Sequence, residues 1–157
     1  MLAAVVAAPM EKHIAGQFVK DAQARLAAQP NLIKIGITGS YGKTSTKFLL
    51  RDILSVKYNV LATPSSFNTT MGVTRVIREQ LTPAHQVFIA EMGARHVGDI
   101  RELVELVHPQ MGLITSVGPQ HLDTFGTIER VRDTKYELID GLPKLSLIHI
   151  SEPTRLA

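Results

Sequence analysis

Residues 35–45, Ile-Gly-Ile-Thr-Gly-Ser-Tyr-Gly-Lys-Thr-Ser, place glycines, a lysine and hydroxyl side chains directly behind an apolar run. That combination suits phosphate. Glycine lets backbone N–H groups approach anionic oxygens closely, and a helix starting at Gly-Lys-Thr adds unpaired amides and the positive end of its dipole. Lys43 is long enough to reach terminal phosphates, and the Thr44 hydroxyl suits a hard cation such as Mg²⁺. Gly39, Ser40, Tyr41, Gly42, Lys43, Thr44 and Ser45 are therefore candidate nucleotide-binding residues. The usual phosphate-loop spacing puts glycine at position 37, where this chain has Ile37. The assignment rests on its context, a strand before the loop and a helix after it.

Two further positions follow apolar runs. Glu91, in Ala90-Glu91-Met92-Gly93-Ala94, is placed to hold Mg²⁺ directly or through water, or else is a surface glutamate in a loop. His121 follows the next run and is either an exposed or structural histidine or a supporting metal ligand. Asp123 reads as a cap or a solvated carboxylate, and Lys135 as an ordinary surface lysine on the last helix. The remaining histidines show no metal-protease spacing.

The elements that must position these residues alternate. Apolar runs at Leu32–Thr38, Asn59–Thr63, Gln86–Ala90 and Met111–Val117 read as strands. Between and after them, Lys43–Val56, Thr70–Gln80, Gly98–Val107 and Ile128–Ile139 read as helices. The pattern predicts an α/β fold with a mainly parallel sheet, helices on both faces, right-handed crossovers and ligands beyond the carboxyl ends of the strands. Ahead of it, residues 10–28 form an expected helix, with Ile14, Phe18, Ala22 and Leu26 on one face and Pro30 as its stop. Residues 144–157 follow Gly141-Leu142-Pro143 and show neither strand nor helix period. We expect that tail to be non-native or disordered. The organisation is thus an N-terminal helical segment (1–30), an ATP-binding domain (31–143) and a tail (144–157).

With 157 residues, 45% apolar and 20% charged, the chain can build one core. A net charge of +3, with Lys and Arg scattered, gives no basic stripe for nucleic acid and suits an anionic small molecule. The lack of cysteine excludes disulfides, thiolate catalysis and cysteine zinc sites, and is compatible with a reducing cytoplasm. Met1–Ala8 is apolar but lacks a basic start and is too short to span a bilayer; it reads as a helix start.

Thr38–Thr46, Asn68–Val73, Glu91–Ala94 with Gly98-Asp99-Ile100, His121-Leu122-Asp123 with Phe125-Gly126, and Lys135–Leu138 occur in an order that resembles the central domain of the Mur ligases. The resemblance covers about residues 31–143. It implies a phosphate-loop α/β domain, present in part, from an ATP-dependent amide ligase of peptidoglycan precursor synthesis. The detail looks most like members acting on a UDP-muramoyl-peptide and D-alanyl-D-alanine through an acyl phosphate. It further implies that Lys43 and Thr44 hold ATP phosphates and Mg²⁺, and that Glu91 and His121 ligate Mg²⁺. Asn68 would lie near the nucleotide, and Lys135 would be carbamylated and support a second metal ion. Lys43, Lys135 and His121 are the implied catalytic residues. A cytoplasmic monomer is expected, without nucleic-acid partners or a membrane span. Family members carry further domains before and after this core, so this chain alone is expected to lack ligase turnover. The alternatives are another amide ligase of the superfamily, such as a folylpolyglutamate synthase, a non-catalytic nucleotide-binding module, or a generic phosphate-loop ATPase or GTPase. The last normally places Asp, not Glu, at the end of its metal-binding strand.

Overall fold

A computed structural model describes residues 2–65, 67–144 and 147–150. In chain order the elements are α1 (Leu2–Ala27), β1 (Ile33–Thr38), α2 (Lys43–Leu54), β2 (Val60–Ala62), α3 (Thr70–Gln80), β3 (Val87–Glu91), α4 (Asp99–Val107), β4 (Met111–Ile114), α5 (Leu122–Phe125), α6 (Ile128–Asp140) and β5 (Leu147–Ile150). The strands form one parallel sheet in the order β2-β3-β1-β4-β5.

The sequence alternates across the strands as a two-faced sheet requires. Ile35, Ile37, Val87 and Ile89 face α2, whose Leu50 and Leu54 pack against them. Phe88 and Ala90 belong to the larger core, with Val73, Val76 and Ile77 of α3, Ile100, Leu103 and Val107 of α4, and Val131 and Leu138 of α6. The chain leaves β1 toward β2 on one side and later crosses from β3 to β4 on the other. Such a reversal opens a crevice at the carboxyl end of β1, where α/β folds hold ligands.

Close approach of α6 to the sheet depends on two glycines. Gly36 and Gly112 are register partners on β1 and β4. A Cβ on Gly36 would lie 2.8 Å from Leu138 Cδ1, and one on Gly112 3.3 Å from Leu138 Cγ. Together they form a trough that seats Leu138 and brings Lys135, one turn earlier, toward the strand ends.

Three expectations need correction. Helix α1 includes the stretch read as a helix start, but the apolar stripe expected along residues 10–28 is only half used. Ala22 and Leu26 are buried, whereas Ile14 and Phe18 are 40% and 37% exposed. Phe18 instead lies under the Arg78 guanidinium, 4.0 Å from its ring centre. The strand expected to reach Val117 stops at Ile114, because residues 115–118 turn to bind the loop after β1. Finally, of the tail expected to be non-native or disordered, Leu147–Ile150 are ordered as β5, paired in parallel with β4; the strand needs only the free edge of β4 and says nothing of whether the tail is native. Residues 145, 146 and 151–157 lie outside the described residues. Among the described residues no helix is long and apolar enough to cross a membrane.

Candidate functional site

The loop from β1 to α2 is built by backbone conformation. Gly39 (φ 144°) and Gly42 (φ 79°) take positive φ, which a side chain would resist. Gly42 is the N-cap of α2 without a side-chain cap, and the first intrahelical bond is Thr46 N to Gly42 O at 2.9 Å. The amides of Lys43, Thr44 and Ser45 therefore have no intrahelical acceptor and point out of the helix start. Lys43 Nζ donates to the carbonyls of Gly39 (2.8 Å) and Ser40 (3.3 Å). Burial holds its ammonium below the usual lysine range, with the nearby Glu91 carboxylate opposing that shift.

Ser40 and Tyr41 have a different job from the one their place in the motif suggests. Ser40 is buried; its Oγ donates to Gly118 O at 2.9 Å and accepts from Gly118 N at 3.0 Å, while its amide donates to Ser116 O at 2.8 Å. Tyr41 N donates to Ser116 Oγ at 3.2 Å, its hydroxyl donates to Pro119 O at 2.8 Å, and its carbonyl accepts from Thr115 Oγ1 at 2.6 Å. These contacts fasten the loop to the segment after β4. The amides left to receive an anion are those of Gly42 to Ser45.

Glu91 ends β3 and is 2% exposed, so the surface reading is excluded. The register sets it beside Ile37, one residue short of the end of β1. Its carboxylate accepts from Thr44 Oγ1 at 3.0 and 3.2 Å, from Lys47 Nζ at 2.8 Å and from Asn68 Nδ2 at 3.3 Å. Asn68 is held by its own carbonyl, which accepts from Gly93 N at 2.8 Å, and by the bare face of Gly93, where a Cβ would lie 2.8 Å from Asn68 Cγ.

Lys135 also corrects the reading from pattern alone. It is 1% exposed on α6, not a surface lysine. Burial first, then the charge of Lys43, lower its pKa to about 8, against Asp99 and Glu137, which raise it. Glu137, two residues on, is buried and accepts from Gly98 N and Arg101 N, each at 2.9 Å, tying α6 to the start of α4. Asp99 accepts from the amides of Arg95 (2.8 Å) and His96 (2.9 Å) and so shapes the loop between β3 and α4. His121 is exposed, in a left-handed conformation (φ 52°) at the start of α5. Asp123 is solvated, as expected.

Lys43, Asn68, Asp99, His121 and Lys135 line one cleft of about 300 Å³, with Arg95 and His96 on its outer wall. Glu91 lies behind that wall, reached through Thr44 and Asn68. Among the described residues no three His, Cys, Asp or Glu side chains converge to hold a metal. Sequence reasoning gave no role to Lys47, Asp99 or Glu137, although Asp99 and Glu137 stand inside stretches that carry the resemblance, and Lys47 lies one helical turn after Lys43.

The family model for the Mur ligase middle domain matches residues 37–155. The chain is similar to curated UDP-N-acetylmuramoyl-tripeptide--D-alanyl-D-alanine ligases: 42% identical over 109 residues to that of Mycobacterium bovis, covering 69% of this chain and 21% of the relative. With that of Treponema pallidum the identity is 37% over 118 residues, covering 75% and 26%. Among solved structures, MurF ligase from Thermotoga maritima in complex with ADP superposes with a TM-score of 0.82 at 32% identity, covering 87% of this chain and 31% of that one. MurF from Acinetobacter baumannii gives a TM-score of 0.83 at 28% identity, covering 90% and 32%. The chain spans about a quarter of the length of the curated relatives.

Proposed function

The chain belongs to the Mur ligase family, and from that premise we propose that it is the ATP-binding core of a ligase joining D-alanyl-D-alanine to UDP-N-acetylmuramoyl-tripeptide. The observation that carries this reading is the shared cleft. Lys43 of the phosphate loop, Asn68, His121 and a buried Lys135 face one space, with Glu91 bonded to the Thr44 hydroxyl behind it. The printed names of the relatives supply the substrates, and the ADP complex supports the nucleotide.

In the first step an oxygen of the peptide's terminal carboxylate attacks the γ-phosphorus of ATP. The bond to the β–γ bridging oxygen breaks, ADP leaves and an acyl phosphate forms. In the second step the dipeptide amine attacks the acyl carbon. The tetrahedral adduct collapses to the amide, phosphate departs and the nitrogen loses a proton. Lys43 exchanges its loop carbonyls for phosphate oxygens, and the amides of Gly42 to Ser45 stabilise the transferred charge. Asn68, His121 and Lys135 line that cleft, and in this reading Asn68 and Lys135 serve the transferred group and His121 the incoming reactants.

The residues present fit Mg²⁺. A hydroxyl and a carboxylate lie together at the loop, and Mg²⁺ is usually completed by substrate phosphates and water rather than by a protein cage. Thr44, Glu91 and His121 would hold it, with a carbamylated Lys135 supporting a second ion. When bound, the cation neutralises charge on the phosphates. Lys135 suits carbamylation because a buried amine with a lowered pKa is more often neutral, and the neutral amine is what adds to CO₂, losing a proton to give the carbamate. We place the protein in the cytoplasm as a monomer, where ATP and UDP-linked peptides are made.

Titration of this chain with ATP and Mg²⁺ by calorimetry tests the reading. Saturable binding is expected. Lys43→Ala should weaken it about tenfold or more, as loss of a charged hydrogen bond does, with an unchanged circular dichroism spectrum. Absence of binding, or an unaffected Lys43→Ala variant, contradicts the proposal.

A further inference from the structure

Lys47 is fully buried, among the largest side chains with that property. A buried ammonium is costly unless paired and hydrogen-bonded. Its partners are Glu91 Oε2 at 2.8 Å and the carbonyl of Ser65 at 3.2 Å, and it lies 4.6 Å from the ring centre of Phe48. One ammonium thus joins helix α2, the end of β3 and the segment leading to Asn68. The other donors to Glu91, Thr44 and Asn68, make longer contacts of 3.0 to 3.3 Å; Thr44 is exposed and Asn68 lines the cleft. Glu91 is therefore held from behind by a charged donor and from the front by two neutral ones. An apolar residue at position 47 alone would leave the buried Glu91 carboxylate without its charged partner, a strongly destabilising change, so a test of this pair needs a substitution that keeps a hydrogen-bond donor.

We propose that Lys47 is a positioning residue that fixes the Glu91 carboxylate toward Thr44, so that a divalent cation arriving with a nucleotide meets an oriented ligand. The inference rests on the proposed ATP site and adds to it. Lys47 touches neither nucleotide nor cation; it acts through Glu91. Thr44 and Asn68, as neutral donors, would yield their contacts to a bound cation, and the Lys47 ion pair would hold the carboxylate from the other side.

The experiment measures binding of a fluorescent ATP analogue to this chain, with Mg²⁺ and with EDTA. The wild-type chain should bind more tightly with Mg²⁺. Lys47→Gln should lower that Mg²⁺-dependent gain at least about tenfold while leaving affinity in EDTA within about threefold, and Lys47→Arg should restore most of the gain. If folded Lys47→Gln keeps the full gain, Lys47 only supports the framework and the inference fails. A second measurement needs no variant. The lysine ¹⁵Nζ resonance of Lys47 in the ATP-saturated wild-type chain should shift when Mg²⁺ replaces EDTA, and an unmoved resonance overturns the inference. Loss of nucleotide binding in both buffers would instead defeat the ATP-site reading on which it stands.

Discussion

Two lysines are the candidates for the chemistry at the residue scale, and only one of them was readable from local pattern. Lys43 was identifiable because glycines and a helix start define a phosphate loop in sequence. Lys135 was not, because its burial comes from α6 settling on a distant pair of strands. Only family resemblance singled it out. Its lowered pKa has a definite sign. Folding shifts the ammonium from an ordinary value of 10.5 to about 8, so between those values the unfolded chain binds the extra proton. Stability contributed by this group must therefore rise with pH across that window and level off above it. Lys135→Met should flatten that rise in urea midpoints measured from pH 8 to 10.5. In the wild type, ¹³C-bicarbonate should produce a carbamate NMR signal that grows as pH passes about 8 and is absent from the variant. A wild-type midpoint insensitive to pH, or a carbamate signal retained in Lys135→Met, would show that another amine is responsible.

At the element scale, four short apolar runs bounded by Gly, Pro or polar residues identified the strands, and the helix-like stretches between them the helices, because a parallel sheet covered on both faces is built from such runs. The misses come from tertiary demands. Strand β4 ends early because Thr115 and Ser116 are needed to clamp the phosphate loop. The short helix α5 went unseen because one turn has no period, although buried Phe125 anchors it. Glycine in a strand usually weakens it, yet Gly36 and Gly112 are what allow α6 to approach. Gly36→Val should crowd Leu138 and Met92 and cost about 1–3 kcal/mol of stability, read as a lower urea midpoint. It should also raise the exposure of Lys135 to amine-reactive reagents. If stability and reactivity are both unchanged, the trough does not set the depth of α6.

For the molecule as a whole, the sheet brings the ends of β1, β3 and β4 to one edge, and every candidate residue gathers there. The order β2-β3-β1-β4 makes that edge the natural place for a ligand. The cleft is nonetheless open. Tyr41, Thr44 and Ser45 are exposed, and acyl phosphate chemistry needs water kept away. These 157 residues should therefore bind ATP without ligase turnover. Phosphate release assayed with ATP, Mg²⁺, UDP-muramoyl-tripeptide and D-alanyl-D-alanine should stay at background, and substrate-dependent release would show that the chain closes its own site.

The central claim is that the start of α2 receives a polyphosphate opposite Glu91 and Lys135. Amide ¹H–¹⁵N spectra of the chain, recorded as ATP and Mg²⁺ are added, test it most directly. The largest shifts should fall on Gly42, Lys43, Thr44 and Ser45, with smaller ones at Asn68 and His121. Shifts centred elsewhere on the fold, with that helix start unmoved, would contradict the account.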